Sequence, residues 1–247
     1  MLIQAALNGA RTKSDHPAVP LSLEELIRDA VACVAAGARA VHLHPRDAAG
    51  LETLEPAIVD EVVTRVREAC GVPVGVTTGA WIEPDLARRL AQVRAWCAPD
   101  YASVNLSEPG AIEIMQALLE AEVGIEAGVW TVADAELLAA SGLADRVTRI
   151  LLETGEQQVG DNVAAALALV EAIHGSLDRH RLTAPRLQHG DDTVAWPVLT
   201  GAIRRGLDTR IGLEDTLHDP NGEPTAGNAA LVRTALSLNA GNRSEHR

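Results

Sequence analysis

Phenylalanine is absent from this sequence, and aromatic residues make up only 2% of it. A core must therefore be built from Ala, Val, Leu and Ile, which suits parallel strands buried on both faces. Cysteine is scarce too. Cys33, Cys70 and Cys97 are isolated, odd in number and form no CxxC pair, so neither a disulfide framework nor a cysteine metal site is expected. Basic residues are few: 21 Lys and Arg against 34 Asp and Glu give a formal charge of −13. Such a chain repels phosphate backbones and anionic membrane surfaces, which excludes nucleic acid and membrane as expected partners. An anionic small substrate stays open, because a local cationic pocket overrides net charge. No apolar stretch approaches the ~20 residues of a membrane span. The N-terminal MLIQAALNGARTK lacks a basic n-region and reads as a first strand, not a signal peptide. The expected location is cytoplasmic. There is no Walker loop, no GxSxG elbow, no HExxH, and no GxGxxG after a strand.

What is present is a regular alternation. Short β-rich runs fall near Leu2–Leu7, Arg39–His44, Val72–Thr77, Tyr101–Leu106, Val123–Val129, Arg146–Leu152, Arg186–His189 and Thr209–Leu213. Ala/Leu-rich amphipathic runs separate them. Ser22-Leu-Glu-Glu25 is a capping box that opens the first helix. Pro56, Pro84 and Pro109 fall near the starts of the next three. Gly37, Gly71 and Gly142 lie near helix ends. Eight βα units in 247 residues, with no linker dividing them, predict one (β/α)8 TIM-barrel domain over 1–247. An open doubly wound sheet is the alternative arrangement. A polar tail is expected from about residue 240.

The strongest chemical signal is His42-Leu43-His44-Pro45-Arg46-Asp47 at the end of the second strand. Strand side chains alternate, so His42 and His44 share one face and Val41 and Leu43 the other. In a barrel the histidines project inward at the C-terminal mouth, where barrel enzymes place their sites. Two imidazoles in an aliphatic interior each need a polar partner, either a hydrogen bond or a metal. Arg210-Ile-Gly-Leu-Glu214-Asp215 closes the eighth strand, which neighbours the first in a closed barrel. Glu214 can then approach the histidines, and two His plus one carboxylate form a catalytic type of metal site. Arg210 in the interior needs an anionic partner.

Other strand ends are polar: Thr77-Thr78-Gly79, Ser103-Val-Asn105-Leu-Ser107, and Glu126 in parity with Gly128 and Trp130. Together they resemble a substrate cradle, although each has a local hydrogen-bonding role as its ordinary reading. Trp81, Trp130 and Trp196 fall near strand ends, where packing competes with a pocket role. His189 ends strand seven as a supporting or structural residue. His16, His174, His180, His218 and His246 look like loop, helix or tail residues without partners. An amidohydrolase-type barrel would need HxH on the first strand and further histidines on strands five and six, which carry none.

With these residues assembled, the sequence resembles the β-keto acid cleavage enzymes, whose founding type is the 3-keto-5-aminohexanoate cleavage enzyme. The carriers are Leu7-Asn-Gly-Ala-Arg-Thr12, Asp15-His-Pro-Ala-Val-Pro20, Ala36-Gly-Ala38, His42-Leu-His44, Thr77-Thr-Gly79, Ser103-Val-Asn105, Arg210-Ile-Gly-Leu-Glu-Asp215 and Asn228-Ala-Ala-Leu-Val232. The resemblance implies an enzyme that uses zinc, or another divalent metal, and acetyl-CoA as co-substrate. A β-keto acid and acetyl-CoA would be exchanged for acetoacetate and a new acyl-CoA in a retro-Claisen reaction. By the family pattern His42, His44 and Glu214 hold the metal, Asp215 handles the α-proton, and Arg210 tunes and positions Asp215. Thr77 stands where the family commonly has Ser, and Ser103 where it commonly has Thr. Both are expected to bind substrate, with Arg11, Thr78, Gly79, Asn105 and Glu126 beside them. Arg11 replaces a Glu of the founding type, which points to a substrate without a cationic tail, such as a dicarboxylic β-keto acid. Glu153-Thr-Gly-Glu-Gln-Gln-Val-Gly160 replaces a Gly-rich loop that follows strand six in the family. A homo-oligomer is implied. The rival readings are a metal-dependent barrel lyase or hydrolase that does not use acetyl-CoA, and a non-catalytic barrel that binds a small acid.

Overall fold

The eight β-rich runs form strands of four to six residues that close on themselves in chain order. The computed structural model describes residues 1–245. The strands are β1 (Ile3–Ala6), β2 (Ala40–Leu43), β3 (Val74–Thr77), β4 (Tyr101–Asn105), β5 (Gly124–Val129), β6 (Arg149–Thr154), β7 (Arg186–Gly190) and β8 (Asp208–Ile211). Every neighbouring pair is parallel, and β1 pairs with both β2 and β8. The result is the TIM barrel that the sequence pattern predicts.

Helices α1 (Leu23–Ala35), α2 (Pro56–Cys70), α3 (Leu86–Arg94), α4 (Ala111–Glu120) and α5 (Val132–Ala140) follow the first five strands. The short α6 (Glu156–Val159), then α7 (Val163–Arg179), α8 (Ala195–Arg205) and α9 (Asn228–Glu245) complete the ring. The predicted capping box on α1 is present, Pro56 sits in the first turn of α2, and Gly71 ends α2 in the left-handed conformation. Thr131 and Asp134 form a second capping box on α5. Pro84 falls short of α3: Asp85 is its cap, accepting from the Arg88 amide. β3 begins at Val74 rather than Val72, immediately after Pro73, which has no N–H to donate to a ladder. The stretch expected as a polar tail is helical as far as Glu245; His246 lies outside the described residues.

Val41, Leu43, Val74, Val76, Val104, Ile125, Ile150, Leu152 and Ile211 face outward and are fully or almost fully buried under the helices. Each such residue contributes roughly 1.5–3 kcal/mol, and this shell carries the packing in place of aromatics.

The barrel interior is polar. Near its N-terminal end Gln4 donates to Glu126 at 2.8 Å and to Tyr101 at 3.1 Å. Tyr101 donates to the Val41 carbonyl at 2.6 Å, and Arg149 lies 3.2 Å from Glu126. Gly75 is required here, because a side-chain carbon on it would strike the Tyr101 ring. His174, read from sequence as lacking a partner, is buried against Gln188 at 2.8 Å on the outer side of β7.

Candidate metal and catalytic site

The C-terminal mouth is shaped by three short segments. Asn8, just past β1, exchanges two 2.9 Å hydrogen bonds with the backbone of His44 and so extends the β1–β2 pairing beyond the strands. At the end of β8, Gly212 passes so close to the Ala6 carbonyl that a side chain there would collide. The chain turns at that point, with Asp215 and Thr216 amides donating to the Gly212 carbonyl. This turn aims Glu214 across the mouth. Gly9, at φ +50°, leaves the space that the Glu214 side chain fills. Asn228 fixes the turn from behind: its Oδ1 accepts from the Leu213 amide at 2.6 Å and its Nδ2 donates to the Leu7 carbonyl at 2.8 Å.

His42 and His44 are 1% and 4% exposed, and their Nε2 atoms lie 3.1 Å apart. Glu214 Oε1 is 3.8 Å from His42 Nε2 and 3.5 Å from His44 Nε2. Donors held by one tetrahedral zinc at its usual bond lengths are separated by roughly 3.3 Å. His42 Nδ1 and Glu214 Oε2 are buried without a hydrogen-bond partner, so Glu214 has a second oxygen to offer. Spacing, donor set and orphaned oxygen all fit a divalent metal.

Burial pushes the His42 imidazole well below its ordinary pKa, against the pull of Glu214, so the ring is neutral, as ligation requires. Burial opposes the charged form of His44 too, but the Glu214 and Glu52 carboxylates outweigh it and raise its pKa. Burial alone would raise Glu214, yet Arg210 and the two histidines hold it well below the carboxylate range.

Arg210 enters from β8 and is 4% exposed. It donates at 2.7 Å to Glu214 Oε1, and at 2.7 and 3.0 Å to Asp215 Oδ1. This is the anionic partnership that an interior arginine needs. Burial works against its charge, but Asp215, Glu214 and Glu153 keep it firmly protonated. Asp215 is fully buried, and its Oδ2 has no hydrogen-bond partner. Burial raises its pKa, with Arg210 opposing.

A second group stands beside the first. His189, from β7, is fully buried with both ring nitrogens lacking hydrogen bonds. They lie 3.5 Å from Glu153, 3.6 Å from Asp215 and 3.8 Å from Asp191. Burial, reinforced by Arg210, takes the His189 pKa down to about 3, so the ring is neutral. Burial lifts Glu153 to about 7. His189, Asp191 and Asp215 also have metal-like spacing, but they bring one imidazole and two carboxylates, whereas His42, His44 and Glu214 are the two-histidine, one-carboxylate set of catalytic zinc sites. The first group is the better metal site.

A cavity of about 610 Å³ opens above these residues. His42, His44, Glu214, Arg210, Thr77, Ser103 and Asn105 line it as expected. Trp81, Trp130, Glu108, Glu153, Asp191, Gln157 and Gln158 complete the polar and aromatic wall. Trp196 instead packs in α8 and donates to the His218 carbonyl.

Several expected substrate residues are elsewhere. Glu126 has the right parity but sits one layer too deep, bound by Gln4 and Arg149. Thr78 spends its hydroxyl on the Ser103 carbonyl at 2.8 Å. Gly79 donates to Thr77 Oγ1 and packs beneath the Trp81 ring. Arg11 is at the rim, tied to Asp192 at 2.5 Å and to the Glu214 carbonyl at 3.3 Å, and does not line the cavity. Asp215 lies behind Arg210 and is also off the wall. Glu52 was missed. The turn signal Asp47-Ala-Ala-Gly50 could have found it, since a tight turn there returns the chain toward His44.

A family model described as beta-keto acid cleavage enzyme matches residues 1–244. The chain is 26% identical over 275 residues to the 3,5-dioxohexanoate:acetyl-CoA acetone transferase of Paraburkholderia graminis, covering 94% of this chain and 87% of that one. It is 23% identical over 254 residues to the 3-keto-5-aminohexanoate cleavage enzyme of Acetoanaerobium sticklandii, covering 96% and 91%. Among solved structures, a binary complex of ObcA with oxaloacetate aligns with a TM-score of 0.72 at 17% identity, over 92% of this chain and 64% of ObcA. A ternary complex of ObcA with a C4-CoA adduct and oxalate gives 0.70 at 17%, over 92% and 65%. The chain thus spans less than two thirds of ObcA, and at that identity the likeness is one of fold. The family match, by contrast, runs from the first residue into the last helix and takes in both strand-end motifs, and the chain accordingly belongs to the β-keto acid cleavage enzyme family.

Proposed function

We propose that this protein is a zinc-dependent acyltransferase that converts a β-keto acid and acetyl-CoA into acetoacetate and a new acyl-CoA. The observation that carries this reading is the convergence of His42, His44 and Glu214 at the floor of one cavity, with Arg210 bonded to Glu214 and Asp215 beside them. When bound, the metal supplies Lewis-acid stabilisation of negative charge on the substrate oxygens.

The remaining work falls to the chain. The net exchange removes a proton from the α-carbon of the β-keto acid and joins that carbon to the acetyl carbon, releasing the CoA thiolate. The thiolate then adds to the original keto carbon, the bond from that carbon to the α-carbon breaks, and the proton returns to give acetoacetate. One residue must therefore take a proton and give it back. By family resemblance that residue is Asp215, with Arg210 holding its Oδ1 and leaving Oδ2 free. Thr77 and Ser103 offer hydroxyls to the substrate carboxylate or the thioester oxygen, and Trp81 and Trp130 give the cavity apolar walls. Two copies or more in solution are part of this reading.

One observation favours a variant of it. Glu153, unlike Asp215, faces the cavity. Its pKa of about 7 suits a group that both accepts and donates a proton near neutrality. Glu153 is then the proton carrier, and Asp215 is the anchor for Arg210.

The function is tested by incubating purified zinc-loaded protein with a panel of β-keto acids and acetyl-CoA. Acetoacetate and an acyl-CoA should appear in equal amounts, and only when both substrates are present. Cleavage of a β-keto acid without any CoA thioester would contradict the transferase reading and favour a lyase.

A further inference from the structure

The residue that closes the turn after β2 faces the far side of a metal-ligand ring. Asp47-Ala-Ala-Gly50 forms a tight hairpin: the Asp47 amide donates to the Leu51 carbonyl, Thr53 to the Pro45 carbonyl, and Arg46 bridges Glu52. Asp47 Oδ1 caps the turn by accepting from the Ala49 and Leu51 amides, and Gly50 supplies φ +80°. The hairpin delivers Glu52 Oε1 to 2.5 Å from His44 Nδ1. The second Glu52 oxygen accepts from Trp81 Nε1 at 3.2 Å, and Arg46 lies 3.9 Å away. Trp81 itself stacks on the His44 ring, with centroids 6.2 Å apart and planes at 28°. Glu52 is 13% exposed and His44 less so, so the contact between them is sheltered from water, whereas Trp81 is half exposed.

We infer that Glu52 is a positioning residue for the metal site, holding His44 with its Nδ1 proton toward Glu52 and its Nε2 lone pair toward His42 and Glu214. This rests on the reading of His42, His44 and Glu214 as metal ligands. Glu52 cannot join that ligand set, because it meets the ring at the nitrogen opposite Nε2. Its carboxylate accepts the Nδ1 proton, which selects one tautomer and makes Nε2 the more basic ligand. Trp81 fixes Glu52 from one side and the ring from the other. A residue on the loop after β3 thereby steadies a ligand just past the end of β2.

The test measures zinc affinity by competition with a chromophoric chelator, on the full chain, for wild type, Glu52→Gln, Glu52→Ala and Trp81→Phe. The Glu52 variants should bind zinc about 10- to 100-fold more weakly, the usual effect of losing such a partner. Trp81→Phe keeps the stacking ring and should lose less. Nitrogen-15 NMR of the His44 ring gives a readout that a purely structural role would not move. In metal-free protein, at a pH where the ring is neutral, wild type should hold the proton on Nδ1, and Glu52→Ala should show a mixture of tautomers. If Glu52→Ala fails to fold, the isosteric Glu52→Gln carries the test. Unchanged zinc affinity in the Glu52 variants, beside a wild type that binds zinc, overturns this assignment alone. A wild type that binds no zinc overturns the metal reading and the assignment together.

Discussion

The ring nitrogens Nε2 of His42 and His44 face each other at 3.1 Å, edge to face, with the planes at 74°. Two imidazoles in this geometry either share a proton or point their lone pairs at a common cation. Glu214 approaches the same point, which favours the cation.

Arg210 joins Glu214 to Asp215 through the fork of its guanidinium. Arg210→Lys keeps the charge but cannot reach Glu214 and Asp215 together with parallel bonds. It should lower kcat/KM by 10²-fold or more with modest loss of stability. Arg210→Ala should also destabilise the fold, by about 3–5 kcal/mol, because two buried carboxylates lose their cation. Steady-state kinetics and denaturant melts separate the two effects.

The proton carrier is identified by comparing Glu153→Gln with Asp215→Asn. If Glu153 is the carrier, Glu153→Gln should reduce deuterium wash-in at the α-carbon of a β-keto acid in D2O to the rate seen without enzyme. Asp215→Asn should then slow it without eliminating it. If Asp215 is the carrier, the ranking reverses. Proton NMR of the substrate reads both rates.

The charge of the substrate tail is the third prediction. Arg11 is occupied by Asp192, and Arg210 by Glu214 and Asp215, while Glu108, Glu153 and Asp191 face the cavity. Among the described residues the wall offers no unpaired cation. This removes the basis for a dicarboxylic substrate, and kcat/KM should be lowest for β-keto acids with an anionic tail. A clear preference for them would show that Arg11 leaves Asp192 to bind substrate.

The outer shell carries its own pH dependence. Asp29 on α1 accepts from Asn228 at 2.5 Å, and burial raises its pKa from 3.8 to about 6. The folded state therefore holds a proton that the unfolded state has lost between about pH 4 and pH 6. Asp29 should cost stability as the pH rises through that window, on the order of 1–3 kcal/mol. Asp29→Asn should flatten this part of the stability–pH curve. Urea melts at pH 4.5 and 7 on both proteins measure the difference.

The fold was legible because its period is simple: short β-rich runs alternate with amphipathic helical runs, and capping signals separate the units. His42 and His44 were legible from parity, and barrel closure put the end of β8 beside them, but the turn at Gly212 that aims Glu214 across the mouth was not legible. Depth along a strand was not legible. Glu126 shares the right parity, but the stagger of β5 against β4 sets it beside Arg149 in the lower layer, and parity carries no information on stagger. Competition for a side chain was not legible either. Arg11 read as a free cation because Asp192, its partner, is remote in sequence. Glu52 was hidden because a four-residue turn, rather than a strand, brings it to His44.

The most direct test of the central claim is metal content by elemental mass spectrometry on the purified protein, beside His42→Ala and Glu214→Ala. The account predicts about one zinc per chain in wild type and loss of that zinc in both variants, with the fold retained. A wild type that stays metal-free after zinc is added would contradict it.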